Sequence, residues 1–576
     1  MLTFFSFILA HFMSFKFAFL TVLTITLLLI PFLYEKIEVK LESELFFAPV
    51  YFFFIFLRFL DPSIFDAEKF MDMAFINSIL KSQSFPPNDP FLANEKLDCY
   101  YYFGHVLGAA IILLSFSPPE IGYNIALAAI AAYTATLIYG IFKEKRMAIL
   151  AILLTMFSGN AYSFIDFISR PFSIDYLYYW NSTRVIEGTI NEFPYFSFIH
   201  ADLHAHVFAI PMKVLLIALL IEKRALLVIT IVLFAIFATN SWDFPFAFIL
   251  TLIFSLIQRN LSIFAFSILS LIPVAIFYEI MELPKAELLF IAERTDFIQF
   301  LSYSATLLAL AYAALNKKLL FYSIPISLPF YFLSPILPLM LPIAITAISK
   351  ERDLGNLLIF LGSLSFMIPD FVAIDSRMNT VFKFYLISWL FLSLGSLLKF
   401  KEREISGKIK IFFAILLAMT LVYPAVATPV RYHSASFELD GMRFTKAFGE
   451  YEALKWLRDK SGVVIEEGCT HGVLCGYSYG GRVATFTGNP AIIAWTNHEY
   501  QWRRKYEIIL ERVKDVRDFY SSRSCEEMRR IAEKYNVTYV FLGYEERKFF
   551  PIDDDIFETC FQKVFEEKSV KVFKVK

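Results

Sequence analysis

Residues 61–104 read DPSIFDAEKFMDMAFINSILKSQSFPPNDPFLANEKLDCYYYFG, from Asp61 to Gly104. The run carries Asp66, Glu68, Asp72, Asp89, Glu95 and Asp98, a Pro86-Pro87 break and the aromatic triplet Tyr100-Tyr101-Tyr102, yet it lies between long apolar segments. Carboxylates gathered at the end of a hydrophobic span have to be kept in water or held in a site. The density of charge and aromatic rings here favours a site.

Working outward, the rest of the chain is far more apolar than a soluble globular protein. It has 576 residues, of which 57% are hydrophobic, 18% aromatic and only 19% charged. That composition predicts a mainly α, polytopic membrane protein. The formal net charge of -1 gives no basis for a nucleic-acid partner. Apolar runs long enough to approach the roughly 17–25 residues of a membrane crossing cover 10–34, 44–60, 122–142, 147–161, 206–221, 225–240, 244–258, 261–278, 298–315, 318–332, 334–349, 357–373, 383–400 and 410–426, about fourteen spans. The first run is too long for a signal peptide and lacks its small-residue cleavage pattern, so it is kept in the fold.

Alternate connections are basic: Lys36 and Lys40, then Lys143, Lys145 and Arg146, Lys223 and Arg224, Arg259, Lys317 and Lys318, Lys350 and Arg352, and Lys399 to Lys410. Positive charge is retained on the cytoplasmic side. The same rule places 61–121, 162–205, 240–244, 279–297, 374–382 and everything after Val426 outside, in a multi-pass protein of the cell membrane.

From about 427 to 576 charged and turn residues return. An amphipathic segment from Tyr451 to Asp459 precedes the apolar run Gly462–Glu466, and helix-like Tyr506–Tyr520 and Cys525–Tyr535 precede the strand-like run Val537–Leu542. This predicts a small extracytoplasmic α/β domain, 427–576, following a transmembrane domain, 1–426. The domain's Cys469, Cys475, Cys525 and Cys560 lie where disulfides form, with three pairings open. Cys469, His471 and Cys475 as a metal site is the alternative, with a spacing that is not a standard zinc pattern.

The acidic pair in Phe65-Asp66-Ala67-Glu68, a helix-like stretch to Leu80, a Pro-rich turn and an aromatic run into Gly104-His105 resemble the first luminal loop of GT-C glycosyltransferases. Those integral-membrane enzymes use lipid-phosphate-linked sugars. Tyr100–His105, Asn191–Pro194, Ala201–His206, Asn240–Asp243 and Arg377–Thr380, with His498–Arg503 in the tail, together resemble the YYY-motif membrane proteins of archaea and Chloroflexi. The resemblance implies a GT-C-like fold whose outer loops 61–121, 162–205 and 374–382 form the site.

Sugar transfer from phosphate to a hydroxyl needs a carboxylate that takes the acceptor proton as the anomeric carbon becomes cationic. By position Asp66 matches the GT-C acid, with Glu68 second. The alternative is that Asp66 caps a helix over 67–80 and that Glu68 and Asp72, four apart, form its wet face. In His200-Ala-Asp202-Leu-His204-Ala-His206, an extended chain would converge all four polar side chains, whereas a helix would pair His200 with His204 and Asp202 with His206. Imidazole and carboxylate suit a divalent cation such as Mn²⁺, Mg²⁺ or Zn²⁺, and Asp202-Leu203-His204 is similar to the DxH pair that oligosaccharyltransferase catalytic subunits use to hold a metal. Asp202, His204 and His206 are therefore candidate ligands, with hydrogen bonding at the water interface as the alternative. Arg377, Thr380 and Lys383, near the start of a helix, offer a phosphate cradle, with Arg184 and Arg431 as weaker candidates. Tyr100, Tyr101, Tyr102, His105, Trp242 and Asp243 are candidate substrate-lining residues. No P-loop or Rossmann fingerprint is present, so no nucleotide cofactor is expected.

The expected function is a glycosyltransferase carrying a sugar from a polyprenyl- or dolichyl-phosphate donor, a membrane lipid, to a glycan or protein acceptor on the extracytoplasmic face. A lipid-phosphate hydrolase, in which the same base activates water, and a polytopic lipid or sugar transporter without catalysis are the alternatives.

Overall fold

The computed structural model describes residues 1–33, 41–171, 174–223, 226–349, 352–401, 406–472 and 474–575. The expected topology markers Lys36, Lys40, Arg224 and Lys350, and residues 402–405 of the Lys399–Lys410 run, lie outside the described residues.

The chain is mainly helical. Among the described residues eight helices are long and apolar enough to cross a membrane: Phe15–Phe32, Glu42–Leu60, Pro119–Phe142, Ala205–Glu222, Leu261–Ile280, Phe297–Ala314, Arg377–Lys401 and Gly407–Arg431. A ninth span forms if Lys145–Met156 and Ala161–Ser169, bent by 70° about their junction, are counted together. The expected count of about fourteen is thus not reached by length and composition. The runs at 225–240, 244–258, 334–349 and 357–373 fold as shorter apolar helices, Leu226–Thr239, Phe244–Ile257, Leu337–Ser349 and Leu354–Asp370, and at 1.5 Å per residue helices of this length do not cover about 30 Å of hydrocarbon unaided.

Helix starts follow from side chains that bond the free amides of the first turn. Asn160, Asn260, Asp296, Asn316 and Asp353 each accept from backbone N–H groups two or three residues on. Of the eight candidate spans, Arg377–Lys401 is the most buried. It lies against Leu354–Met367 at a distance set by small residues, since a Cβ on Gly395 would stand 2.8 Å from the Gly355 carbonyl oxygen. The peripheral helices Phe15–Phe32 and Leu261–Ile280 leave most of their apolar surface uncovered by protein.

The tail carries a four-stranded sheet in the order Val463–Ile465, Val537–Leu542, Val570–Lys574, Gln562–Glu567, the first pair parallel and the others antiparallel. Helices Tyr506–Ser521 and Cys525–Lys534 share a core with it. Disulfides join Cys469 to Cys475 and Cys525 to Cys560. The first uses both cysteines of the alternative metal trio, so no thiolate remains there to bind an ion.

The acidic loop is built into the tail. The amides of Ala93 and Ala494 donate to the carbonyls of Ala491 and Phe91, each at 2.8 Å, and Leu92 enters the tail's core. The helix Lys69–Lys81 packs against the helix Arg482–Thr487, with the Asn77 side-chain amide donating to the Thr485 carbonyl at 2.7 Å.

Candidate active site

The chain enters the site through two consecutive non-glycine residues with positive φ, Asp66 at 87° and Ala67 at 47°. Left-handed backbone at such residues is costly and is held only where its surroundings demand it. The turn puts Asp66 on the rim, with 53% of its side chain exposed, and turns Glu68, Lys69 and Asp72 inward. Asp66 Oδ1 accepts from the adjacent Ala67 amide at 2.8 Å, and the helix Lys69–Lys81 has no side-chain cap, so the capping alternative for Asp66 does not hold. Nor is there a wet face, because Asp72 is fully buried.

The second wall is the stretch 194–206, neither extended nor one helix. The helix Pro194–His200 ends at Ala201 in left-handed conformation, and His204 begins the helix Ala205–Glu222. The kink sends the three candidate metal ligands to different partners. His204 Nδ1 lies 3.0 Å from Glu68 Oε2 and 3.7 Å from Asp72 Oδ1, and its Nε2 is 3.3 Å from the Tyr100 hydroxyl. Asp202 lies 4.0 Å from the buried Lys69 ammonium and 3.8 Å from His200 Nε2, and accepts from the Glu68 amide at 3.4 Å. His206 Nε2 is 3.4 Å from Glu192, which also accepts from the Ser197 hydroxyl at 2.8 Å. The third wall comes from the tail. The Tyr477 hydroxyl donates to Glu68 Oε1 at 3.0 Å, and His498 Nε2 is 3.8 Å from the same oxygen. Close approach of the helix Phe103–Ser115 closes the base: a side chain at Gly104 would overlap Phe208, and the packing lets His105 Nε2 reach Asp72 Oδ1 at 2.8 Å.

These contacts drive neighbouring groups to opposite protonation states. Burial works against the charge on Glu68, yet His204 and His498 hold its carboxyl well below the usual range. Burial likewise opposes the charge on His204, but Glu68 and Asp72 raise it to about 10. Asp202 goes the other way: burial, reinforced by the negative charges of Asp72 and Glu68, pushes its carboxyl well up, against the pull of Lys69. Burial and the Lys69 charge lower His200 to about 3, whereas Glu192, despite burial, is drawn to about 2 by His206 and His200. Asp66 stays below the ordinary carboxyl value because Lys69, His200 and Arg431 outweigh its burial.

Of the remaining predicted residues, Asp243 forms a buried ion pair with Lys213 at 2.7 Å, and the Trp242 ring lies against Phe384. The Tyr101 and Tyr100 rings are tilted by 35° with centroids 4.3 Å apart, while Tyr102 packs among Phe7, Phe85 and Phe277. The expected cradle does not assemble. The Thr380 hydroxyl is bonded to the backbone of Ile374 and Ser376, and Arg377 donates to the Thr295 hydroxyl at 2.9 Å. Arg184 lies 3.8 Å over the Trp180 ring. Lys383 alone of the trio reaches the site: it is buried, its charge acts on His204, and among the described residues it has no hydrogen-bond or ion-pair partner. Lys69, Glu192, Tyr477 and His498 were not named as site residues, and Asp72 was named only as one carboxylate of the acidic run. Lys69 carried a usable signal, being a basic residue in a connection assigned to the side where such residues are scarce.

A divalent ion does not fit the expected ligands. They face different partners: Asp202 faces Lys69 and His200, His204 faces Glu68 and Asp72, and His206 faces Glu192. Among the described residues no group of three or more His, Cys, Asp or Glu side chains converges as a metal site.

The chain belongs to the family described as uncharacterized membrane protein (DUF2298), whose model matches residues 1–392. Among solved structures, it is similar to the archaeal oligosaccharyltransferase AglB from Archaeoglobus fulgidus, in complex with an inhibitory peptide and a dolichol-phosphate. The identity is 12% and the TM-score 0.41, covering 92% of this chain and 74% of that one. No curated protein matches the chain.

Proposed function

We propose that this protein is a membrane glycosyltransferase of the YYY-motif, GT-C-like type, carrying a sugar from a polyprenyl- or dolichyl-phosphate donor to an acceptor on the extracytoplasmic face. The observation that carries the reading is the combination of a rim carboxylate, Asp66, held ionised, with a buried cation, Lys383, that has no hydrogen-bond or ion-pair partner among the described residues and lies over the Phe382 ring. A phosphate-linked sugar needs both: a base for the incoming hydroxyl and a positive charge for the departing phosphate.

In this reading Asp66 takes the acceptor proton, being the only carboxylate of the group with more than half of its side chain open to solvent. Glu68 is bound by His204 and Tyr477 and serves to position the histidine. Lys383 and the protonated His204 neutralise the leaving phosphate. Asp202, with its raised carboxyl, can hold a proton as a hydrogen-bond donor to a sugar or phosphate oxygen. The chemistry is derived without a metal, since the candidate ligands are spoken for by Lys69, Glu68 and Glu192.

The test is transfer by purified protein reconstituted in lipid with radiolabelled polyprenyl-phosphate sugar. Asp66→Asn keeps the shape and removes the base, and the rate should fall by about 10² to 10⁴ with folding intact. Near-normal turnover would exclude Asp66 as the base. Release of label to water instead of to an acceptor would replace the transferase by a lipid-phosphate hydrolase. Activity should persist in EDTA, and its abolition would reinstate the metal.

A further inference from the structure

A short helix, Tyr176–Asn181, is used by none of the steps above. Its backbone is fixed. Asp175 accepts from the amides of Leu177 and Tyr178, the Tyr178 hydroxyl donates to the Ser163 carbonyl at 3.2 Å, and Tyr423 donates to the Tyr179 carbonyl at 3.0 Å. On this base the Tyr176 and Trp180 rings lie within 19° of parallel, with centroids 6.1 Å apart. The Arg184 guanidinium lies 3.8 Å from the Trp180 centroid and pins the indole. Tyr176 remains 50% exposed.

The stack points at the chemistry. Trp180 is 6.0 Å from the His200 ring, the Tyr179 hydroxyl is 2.7 Å from His200 Nδ1, and His200 is the neighbour of Asp202. The charges acting on the Tyr176 hydroxyl are those of Asp66, Arg431 and Arg184. A ring that merely anchors the chain in the lipid interface stands among apolar neighbours and headgroups. This ring is stacked instead on Trp180, whose indole also meets the Arg184 guanidinium and the His200 ring.

We propose that Tyr176 and Trp180 form an aromatic platform for a pyranose ring of the acceptor, so that the acceptor is a glycan and not a polypeptide. The inference rests on the transferase reading, because it takes the ring next to Asp66 to be the acceptor's. A pyranose presents a face of polarised C–H groups that packs on the negative face of an aromatic ring. Its equatorial hydroxyls project at the edges, where Asp66 and Arg184 can bond them. A peptide has no comparable flat apolar face flanked by hydroxyls.

The experiment uses the full-length protein in nanodiscs and methyl hexopyranosides as probes. Saturation-transfer NMR should show transfer from aromatic protons to sugar ring protons. Tyr176→Ala and Trp180→Ala should each weaken that binding about tenfold, and Tyr176→Phe, which keeps the ring, should restore it. In the transfer assay the Ala variants should raise the KM for acceptor and leave kcat unchanged. Equal sugar affinity in wild type and both Ala variants, or peptides serving as acceptors where glycans do not, would overturn the platform. The two readings separate cleanly. Sugar binding that depends on these rings without any transfer would sink the transferase and keep the platform. Transfer that ignores both rings would do the reverse.

Discussion

Glu68 and Asp202 are linked through a backbone amide, yet one is held ionised and the other is pushed toward the neutral acid. The difference comes from which cation reaches which carboxylate. His204 and His498 serve Glu68, while Asp202 has only a 4.0 Å contact with a lysine that is itself fully buried. The central partnership is testable by pH. Since the folded-state value of His204 is raised to about 10, from an ordinary value of about 6.5, its contribution to stability is complete below about 6.5 and is lost as pH rises toward 10. Comparing thermal unfolding of wild type and His204→Gln should show a gap that is widest near neutral pH and below and that narrows as pH rises through this window. A gap that widens with pH would mean that His204 is not the proton-bearing partner of Glu68. Asp66, Glu68, Asp202 and His204 were legible from the acidic pair and the alternating polar residues. Asp72 was not, because spacing four from Glu68 reads as a solvated helix face. It is buried by contacts with residues 105 and 204, remote along the chain, that no local pattern encodes.

The tail's helices and strands were legible from periodicity and fall close to where it put them. The number of membrane crossings was not, since a run of apolar residues is the same signal whether it spans lipid or ends inside the protein. The phosphate cradle went astray for another reason. Spacing alone does not reveal that the Thr380 hydroxyl would be consumed by the backbone of Ile374 and Ser376, leaving Lys383 to act without it. The helix Arg377–Lys401 offers a test of what spacing cannot show. Ala is normally better than Gly inside a helix by about 1 kcal/mol, yet at Gly395 the added Cβ would meet a backbone oxygen and the Leu358 Cβ at 2.8 Å each. Packing should win, and Gly395→Ala should destabilise by ~1–3 kcal/mol. At Gly140, where nothing lies within 4 Å, the same change should be neutral or stabilising. Thermal unfolding of both variants in one detergent decides it, and equal effects would show that the helix pair is not held at the distance described.

The connections sort into two sets that are tied together at opposite ends of the helices. Lys143 bonds Glu222 at 2.5 Å, Lys145 pairs with Glu42 at 3.2 Å, and Lys223 bonds Gln258 at 2.6 Å, so four of the basic connections are linked in a chain. The other set is gathered by the tail: the acidic loop through Ala93 and Ala491, the 281–296 connection through Lys505 and Glu282 at 3.5 Å, and the start of the helix Arg377–Lys401 through Arg504 and Asp375 at 3.9 Å. Membrane insertion keeps the basic set in the cytoplasm, so the acidic loop, the histidine stretch and the tail with its two disulfides should share the outside, where disulfides persist. The chain is suited to the test because its one free cysteine, Cys99, is buried. Single cysteines placed at the exposed positions Asn88, Glu282 and Ser521 should react with an impermeant thiol reagent in intact cells. Those placed at Lys145 and Lys317, also exposed, should react only after permeabilisation. Labelling of the second pair in intact cells would invert the protein in the membrane. The carboxylate site would then face the cytoplasm, and an extracytoplasmic transferase could not stand.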